Sequence, residues 1–253
     1  MNNHLLACKE LFKTFSTGAG DVEVEVVRGV NLEVQAGDFT VLMGSSGSGK
    51  STLLYLMSGL ESITAGEAWF EGQKISSMKE KDLSLLRRSG MGFVFQAFNL
   101  IPNLTVLENI LVAGYLGNPD KKAVEERARK LLENFGLAKL ADRRPAKVSG
   151  GEQQRAATAR SLINSPRILF ADEPTGALNS AAGKKVLDYF TQLAAGGQTI
   201  FMVTHDLKAA CRGNRVLYLN DGQIHGEYTF DDDKMSFSKR EELLFAWLTK
   251  QGW

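Results

Sequence analysis

The sequence has little cysteine and no long hydrophobic run. Its 253 residues include two cysteines, Cys8 and Cys211, which are far apart and lack the C-x-x-C or Cys/His spacing of a zinc site. This argues against a disulfide framework, so we expect two buried thiols. No stretch approaches the roughly 18 apolar residues of a membrane span, and residues 1–4 lack the features of a signal peptide. We therefore expect a cytosolic location.

The sequence also lacks an excess of charge of either sign. It has 30 Lys and Arg residues against 29 Asp and Glu residues, a formal net charge of +1. A balanced charge gives no long-range attraction to nucleic acid or to an anionic membrane, so we predict no nucleic-acid partner. The 43% hydrophobic content is enough to fill the core of one large α/β domain, with or without a helical insertion.

Hydrophobic spacing predicts a β-rich first third, a helical middle and a final section of alternating strands and helices. The first third has one predicted helix, which begins near Lys50, and residues 97–163 have helical spacing. The final section predicts a parallel sheet flanked by helices, one of them over residues 180–195. The predicted strands are residues 22–26, 39–43, 91–95, 168–171 and 199–203. A hairpin is predicted at residues 66–71 with Gly72, and a final one is formed by residues 215–219 and 223–228, joined around Asp221-Gly222.

The end of the chain is predicted to be a polar linker, residues 231–233, followed by a short amphipathic helix. The apolar stripe of this helix consists of Leu243, Leu244, Trp247 and Leu248. Such a stripe can fold back on the domain or dock on a partner, and we expect it to fold back.

The strongest motif lies between a predicted buried strand and a predicted helix. Here the chain fits the pattern G-x-x-x-x-G-K-[ST]. Its glycines let the backbone wrap around phosphate, while successive N–H groups and the helix N-terminus face the anion. Lys50 can reach the β- and γ-phosphates, and Ser51 can ligate Mg²⁺. The predicted nucleotide-binding residues of this segment are Gly44, Ser45, Gly47, Ser48, Gly49, Lys50, Ser51 and Thr52.

A second motif is the apolar strand at residues 168–171, which is followed by Asp172 and Glu173. Parallel sheets present ligand-binding residues at the carboxyl ends of their strands, so these carboxylates are placed to act on a ligand. Asp172 suits Mg²⁺ binding, and Glu173 suits the activation of water as a general base. The alternative is an ordinary solvated acidic turn. The two motifs together leave GTPases, kinases, helicases and recombinases open.

The third motif, residues 148–155, reads VSGGEQQR and leads into a helical segment. It resembles the signature sequence of ATP-binding cassette ATPases, commonly LSGGQ, with Val148 and Glu152 as variants. Ser149 at an N-cap, followed by Gly150 and Gly151, makes a second anion-binding helix terminus. A second phosphate site in a chain that already has a phosphate loop indicates a dimer. In that family, two chains pack head to tail, and each signature helix closes over the ATP of the partner.

The resemblance covers about residues 5–228, with the family's motifs in order. It implies that Gln96 contacts Mg²⁺ and links the nucleotide to the helical subdomain, and that His205 contacts the γ-phosphate. It also implies that Phe15 stacks on adenine, although an aromatic residue at a strand end is often part of the core. Residues 176–179 resemble the loop that crosses the dimer interface. The family usually has Asp where this chain has Asn179, and the effect of this difference stays open.

The resemblance implies the fold class and the division of the chain. We expect an α/β fold: a RecA-like P-loop NTPase core with an antiparallel β subdomain and an inserted α-helical subdomain. The ATPase domain would span residues 1–230, with its core at 1–96 and 164–230 and its helical subdomain at about 97–163. Residues 231–253 would form the tail helix.

Nucleotide motifs and the helical subdomain occupy the chain, so a transporter interpretation requires a separate membrane permease. Residues 78–83, 92–100 and 171–178 are similar to the macrolide-exporter and lipoprotein-releasing branch, and most similar to its bacitracin-resistance type. That type pairs its ATPase with a large permease, handles antimicrobial peptides or their lipid-bound targets, and often works beside a two-component sensor. In this reading residues 98–102 either line the groove for a permease helix or pack in the helical subdomain.

The resemblance therefore implies ATP and Mg²⁺ as cofactors, and a permease and a second copy of the chain as partners. A sensor kinase could act through the permease. The protein would lie on the inner face of the membrane and power the export of, or resistance to, antimicrobial peptides. The alternatives are a lipoprotein-releasing ATPase and a mechanotransmission ATPase of the cell-division type. A cassette that acts in DNA repair or on ribosomes would show a long coiled-coil insertion or a second cassette, and neither is present.

Overall fold

The computed structural model describes residues 4–17, 22–230 and 235–253. The chain forms two compact units, of which the first combines Met1–Leu83 with Gly197–Trp253 and the second is Ser84–Gly196. The predicted linker at residues 231–233 lies outside the described residues, and the predicted division at residues 97, 163 and 230 stays a prediction.

The first unit contains most of the strands. They form two groups, with the orders β2-β1-β4-β5 and β10-β9-β3-β8. In the second group β3 pairs in parallel with β8 and β9, while β9 and β10 form an antiparallel hairpin. The strands are β1 His4–Thr17, β2 Val22–Gln35, β3 Phe39–Met43, β4 Ala65–Phe70, β5 Gln73–Lys74, β8 Thr199–Thr204, β9 Arg215–Asn220 and β10 Gln223–Thr229. The helices that lie wholly in this unit are α1 Lys50–Met57, α7 Leu207–Ala210 and α8 Phe237–Lys250.

The second unit contains a parallel pair of strands and a group of helices. Strands β6 and β7 are neighbours in the sheet order. The helices share one apolar core that includes Val106, Ile110 and Leu132, which confirms the helical middle. The elements are β6 Met91–Phe95, α3 Val106–Gly117, α4 Lys121–Asn134, α5 Gly150–Ser161, β7 Ile168–Asp172 and α6 Ser180–Ala195, and helix α2, Glu80–Gly90, leads into the unit.

Helix α2 corrects the prediction of one helix in the first third. Its sequence is strongly polar, and among its residues only Gly90 is buried. The prediction relied on longer apolar runs, and this short helix has only three leucines, none of them fully buried. Acidic residues in its first turn, Glu80 and Asp82, and basic residues in its last, Arg87 and Arg88, interact favourably with the helix dipole.

The two long strands of the first unit were only partly predicted. Strand β1 was missed, and β2 continues well past the predicted residues 22–26. The β1–β2 pairing has several register shifts, and Glu10 has a φ of 45°. Each such irregularity breaks the alternation of apolar and polar residues on which a strand prediction depends.

The tail helix folds back on its own unit, as expected. Leu244 and Leu248 are fully buried, and Trp247 packs against Tyr228 of β10 with ring centroids 5.6 Å apart. Arg240, also buried, donates from Nη1 to the carbonyl oxygens of Cys211 and Gly213.

Both cysteines are free and buried, as predicted. Desolvation is the main cause that raises the pKa of each thiol, Cys8 and Cys211, to about 12. Thiols with such pKa values stay protonated and serve as small apolar side chains.

Candidate functional site

The phosphate loop joins β3 to α1 in the first unit. At Gly44 a Cβ would overlap the carbonyl oxygen of Leu219, and at Gly49, whose φ is 98°, it would lie 2.7 Å from the carbonyl oxygen of Val26. Gly47 also has a positive φ, of 81°. Neighbouring backbone therefore excludes side chains at Gly44 and Gly49, and the positive φ of Gly47 and Gly49 suits a loop that folds closely around an anion.

Lys50 begins α1, and its ammonium group is held by the loop itself. Its Nζ donates to the carbonyl oxygens of Gly44, at 3.0 Å, and Ser45, at 2.8 Å. The residue is buried, at 8% exposure. A positive charge is thus held against the backbone of the loop, where it can attract phosphate. The neighbouring Ser51 and Thr52 lie half-buried in the first turn of α1.

Ser48 gives a direct indication that the loop fits a polar ligand. Its Oγ is buried and has no hydrogen-bond partner among the described residues, although Ser48 uses its backbone carbonyl to accept from Gly222. A buried hydroxyl without a partner is costly unless a ligand or water completes it. Together with Lys50 and the excluded Cβ positions, it shows a cradle suited to a nucleotide phosphate.

His205 leaves the sheet next to the phosphate loop. Strands β3 and β8 are parallel neighbours, and Met43 pairs with Thr204. Gly44 and His205 therefore follow directly after paired residues and emerge at the same edge. His205 is exposed, and Asp206 after it caps α7 by accepting from the N–H of Lys208.

Phe15 is an exposed ring rather than part of the core. It lies on β1 with 38% exposure, and the Nζ of Lys13 is 4.6 Å from its ring centroid. Lys13 is itself fixed by an ion pair with Glu61, at 2.7 Å. A supported aromatic face at the surface is suited to stacking against a planar base.

In the second unit, two further candidate residues follow the carboxyl ends of the parallel strands β6 and β7. The two strands are parallel, and Phe95 pairs with Asp172, so Gln96 and Glu173 follow directly after paired residues. Asp172 is buried and Gln96 is exposed. A Cβ at Gly176 would lie 2.9 Å from Nε2 of Gln96, so the loop after Glu173 packs on the Gln96 side chain.

Glu173 has an unusual backbone conformation. Its φ is 46°, in the left-handed region that non-glycine residues seldom adopt. Such conformations cost free energy and tend to be kept where they orient a functional side chain. Five other non-glycine residues in the described part of the chain share this conformation, so the assignment of Glu173 depends on its position directly after β7.

The signature segment forms a capping box at the start of α5. The backbone N–H and the hydroxyl of Ser149 both donate to Oε2 of Glu152, at 2.7 and 2.8 Å, and the N–H of Glu152 donates to Ser149 Oγ. The backbone hydrogen bond, then the hydroxyl, hold the pKa of Glu152 below its ordinary value. Gly150 and Gly151 follow as the first two helical residues, and a Cβ at Gly151 would lie 2.9 Å from Cβ of Ala182 in α6.

Asn179 caps α6, the helix that packs beside the signature segment. Its side-chain oxygen accepts from the N–H of Ala182 at 2.9 Å. Asn and Asp cap helices about equally well. The capping role of this residue therefore does not need the negative charge of the Asp that the family usually has here.

Sequence reasoning gave no role to two further residues of α5. Gln154 is fully buried and bonds to backbone at the ends of β6 and β7, and Arg160 donates to the carbonyl oxygens of Phe98 and Asn99. The sequence gives no local signal for Gln154, because its partners Phe95 and Pro174 lie on segments distant from it in the chain.

The residues predicted to bind Mg²⁺ form no protein-only metal cluster. Over residues 4–17, 22–230 and 235–253, no group of three or more His, Cys, Asp and Glu side chains could hold a metal ion. Few protein ligands are typical for Mg²⁺, which keeps several waters and shares substrate phosphates. The hydroxyl of Ser51, the amide of Gln96 and the carboxylate of Asp172 are oxygen donors of the kind that Mg²⁺ prefers.

The fold and the loop geometry define a P-loop nucleotide-binding cassette, and comparison with known proteins agrees. The family model described as ABC transporter matches residues 27–176. A solved dimeric structure of the ATP-binding cassette MJ0796, in a post-hydrolysis state bound to ADP and Pi, has a TM-score of 0.82 and 37% identity, and the match covers 90% of this chain and 99% of that one. The predicted fold class is thereby confirmed.

Two curated relatives narrow the comparison. The lipoprotein-releasing system ATP-binding protein LolD of Aquifex aeolicus is 47% identical over 205 residues, 81% of this chain and 92% of that protein. The macrolide export ATP-binding/permease protein MacB of Brucella melitensis is 41% identical over 229 residues, 90% of this chain but 35% of that protein. The chain thus spans about a third of the length of this exporter relative.

The chain belongs to the ABC transporter family. It is an ATPase of that family and binds ATP. Its relatives lie in the macrolide-exporter and lipoprotein-releasing branch, as the sequence motifs predicted. No helix in the described part of the chain is long and apolar enough to cross a membrane.

Proposed function

We propose that this chain is the ATP-hydrolysing subunit of an export-type transporter and powers a separate membrane permease. The observation that carries the proposal is the phosphate loop. In this loop Lys50 donates to the carbonyl oxygens of Gly44 and Ser45, and the buried hydroxyl of Ser48 has no hydrogen-bond partner among the described residues. The LolD relative supports a separate subunit, since the match covers 92% of that protein and it is described as an ATP-binding protein of a releasing system.

In this proposal the residues divide the work on ATP between them. Lys50 and the loop N–H groups bind the phosphates, and His205 contacts the γ-phosphate. Phe15 stacks on adenine. Glu173 accepts a proton from the attacking water, a contribution of about 10²–10⁴-fold in rate for general-base catalysis.

Mg²⁺ has three proposed ligands in this chain, namely Ser51, Gln96 and Asp172. When bound, the ion neutralises charge on the phosphates. The chain's own part is to present these oxygen donors from the ends of α1, β6 and β7.

A second copy of the chain is the proposed partner for the signature segment. Residues 149–152 would close over the nucleotide of the other copy, which explains why one chain has two anion-binding helix termini. The dimeric structures of the MJ0796 cassette support this arrangement.

The permease is proposed to dock on the second unit. Several large apolar side chains are exposed there. Leu85 lies on α2, Ile101 lies in the loop between β6 and α3, and Val112, Tyr115 and Leu116 lie on α3. Both interpretations of residues 98–102 have support. Packing in the helical subdomain is supported by Phe98, which lies 3.4 Å from a Cβ placed on Gly150, and by Leu100, which packs on the helical core. A groove for a permease helix is supported by Ile101, which is 43% exposed. Docking would hold the protein at the inner face of the membrane.

The proposed cargo is an antimicrobial peptide, handled by a bacitracin-type permease that also engages a sensor kinase. This rests on the motif resemblance described above. The relative with 47% identity is a lipoprotein-releasing protein, and this favours lipoprotein release as a second candidate. Purified chain reconstituted with either type of permease separates the two, since cognate permease should stimulate ATP hydrolysis.

The test of the catalytic assignment is Glu173→Gln. Hydrolysis should fall by about 10²–10⁴-fold because the general base is lost, while binding of a fluorescent ATP analogue stays near that of the native protein. Glu71→Gln is the matched control, since Glu71 has a similar φ of 49°. Hydrolysis at the native rate in Glu173→Gln would contradict the assignment.

A further inference from the structure

One buried amide in the second unit joins three parts of the nucleotide machinery. Gln154 lies in α5 and has no exposed surface. Its Nε2 donates to the carbonyl oxygen of Phe95 at 3.1 Å and to that of Pro174 at 2.7 Å. Both acceptors are carbonyl oxygens, so the orientation of the amide is fixed by chemistry: only its NH₂ group can face them.

The two acceptors are adjacent in sequence to a proposed Mg²⁺ ligand and to the proposed general base. Phe95 immediately precedes Gln96, and Pro174 immediately follows Glu173. The helix that carries Gln154 begins at the signature residue Ser149, its N-cap. A single NH₂ group therefore bridges the ends of β6 and β7 and ties both to the signature helix.

Packing alone does not explain a glutamine at this place. Its Oε1 is buried and has no hydrogen-bond partner among the residues that the structure describes. A half-satisfied buried amide costs free energy relative to an apolar side chain of the same size. What the amide supplies in return is a fixed distance between two backbone positions and one helix.

We propose that Gln154 is a positioning residue that holds Gln96 and Glu173 in register with the signature helix. This inference rests on the proposed function, because it takes Glu173 as the general base. Since Gln154 touches neither nucleotide nor water in this account, its loss should impair the chemical step and spare ATP binding, which depends on the phosphate loop of the first unit.

The experiment compares Gln154→Met with two controls on the same helix, by steady-state ATP hydrolysis, binding of a fluorescent ATP analogue and thermal melting. Ser161→Ala removes a side-chain hydrogen bond at the far end of α5, from Ser161 Oγ to the carbonyl oxygen of Thr158. Thr158→Val removes a different buried hydrogen bond, from Thr158 Oγ1 to the carbonyl oxygen of Gln154.

We expect Gln154→Met to lower kcat by about 10- to 100-fold, the scale of a misplaced catalytic group, with KM and analogue binding changed less than about twofold. Both controls should keep kcat within about twofold of the native value. Gln154→Asn keeps the donor but is one methylene too short to reach both carbonyls, so it should also lose kcat and serves if the Met variant does not fold.

Two results would overturn the inference: native kcat in a folded Gln154 variant, or an equal loss of kcat in Thr158→Val, which would indicate a merely structural role. Failure of the proposed function is seen separately, as hydrolysis that survives Glu173→Gln whatever residue stands at position 154.

Discussion

At the scale of single residues, side-chain caps set the starts of the helices that carry the second unit's functional loops. Ser149 caps α5, Asn179 caps α6 and Thr105 caps α3, and each side chain accepts from a backbone N–H in the first turn. A cap satisfies donors that the helix itself cannot. The signature segment therefore has a defined shape before any nucleotide or partner arrives.

Asn179 gives a test of cap against charge. Asn179→Ala should destabilise the protein by about 1 kcal/mol because the N–H of Ala182 loses its acceptor, whereas Asn179→Asp should keep the cap and the stability. Chemical denaturation of the two variants measures this difference. Equal loss in both would show that the amide group, and not the capping oxygen, matters here.

The Glu152 carboxylate makes the capping box of α5 sensitive to acid. Its folded pKa is lowered, chiefly by the backbone N–H of Ser149, so the stabilisation is complete above the unfolded pKa, near 4.5, and is lost as pH falls through the folded pKa. Glu152→Gln should therefore flatten part of the fall in stability below about pH 4.5. Thermal melting temperatures measured from pH 3 to pH 7 test this prediction, because the range includes the unfolded pKa of the carboxylate.

Glu108 provides the control for that experiment. It forms the equivalent box with Thr105 at the start of α3, and its pKa is lowered in the same way. Glu108→Gln should flatten the same limb of the pH profile. A profile that is unchanged in both variants would contradict the account of the boxes.

At the scale of elements, the tail helix α8 is an integral part of the first unit. Leu248→Ala should destabilise the protein by about 2–5 kcal/mol because it opens a cavity at a fully buried position. Phe245→Ala on the same helix, where the ring is 52% exposed, should cost far less. Urea denaturation of both variants decides this, and equal costs would show that α8 does not pack as described.

The elements also show what the sequence could and could not predict. Strands β3, β7 and β8 were predicted nearly to the residue, because buried parallel strands are short, mainly apolar runs. Strand β1 was missed because bulges interrupt its alternation, and α2 because it is short and its few apolar residues are only partly buried. Local patterns fail where an element is irregular or where its apolar residues are few.

At the scale of the whole molecule, the site was more predictable than its supports. The phosphate loop, the acidic strand end and the signature segment are continuous motifs, so the sequence alone is enough to predict them. Gln154 and the exposed position of Phe15 depend on contacts between segments far apart in sequence, such as Gln154 with Phe95. Those contacts become visible only when strands and helices are placed side by side.

The proposed function depends most on the proposal that ATP joins two copies of this chain through the signature segment. Light scattering of Glu173→Gln with and without ATP tests it most directly, with the additional change Ser149→Arg as the control. The account predicts a dimer that forms only with ATP and is abolished by Ser149→Arg. A protein that stays monomeric with ATP, or a dimer that survives Ser149→Arg, would contradict it.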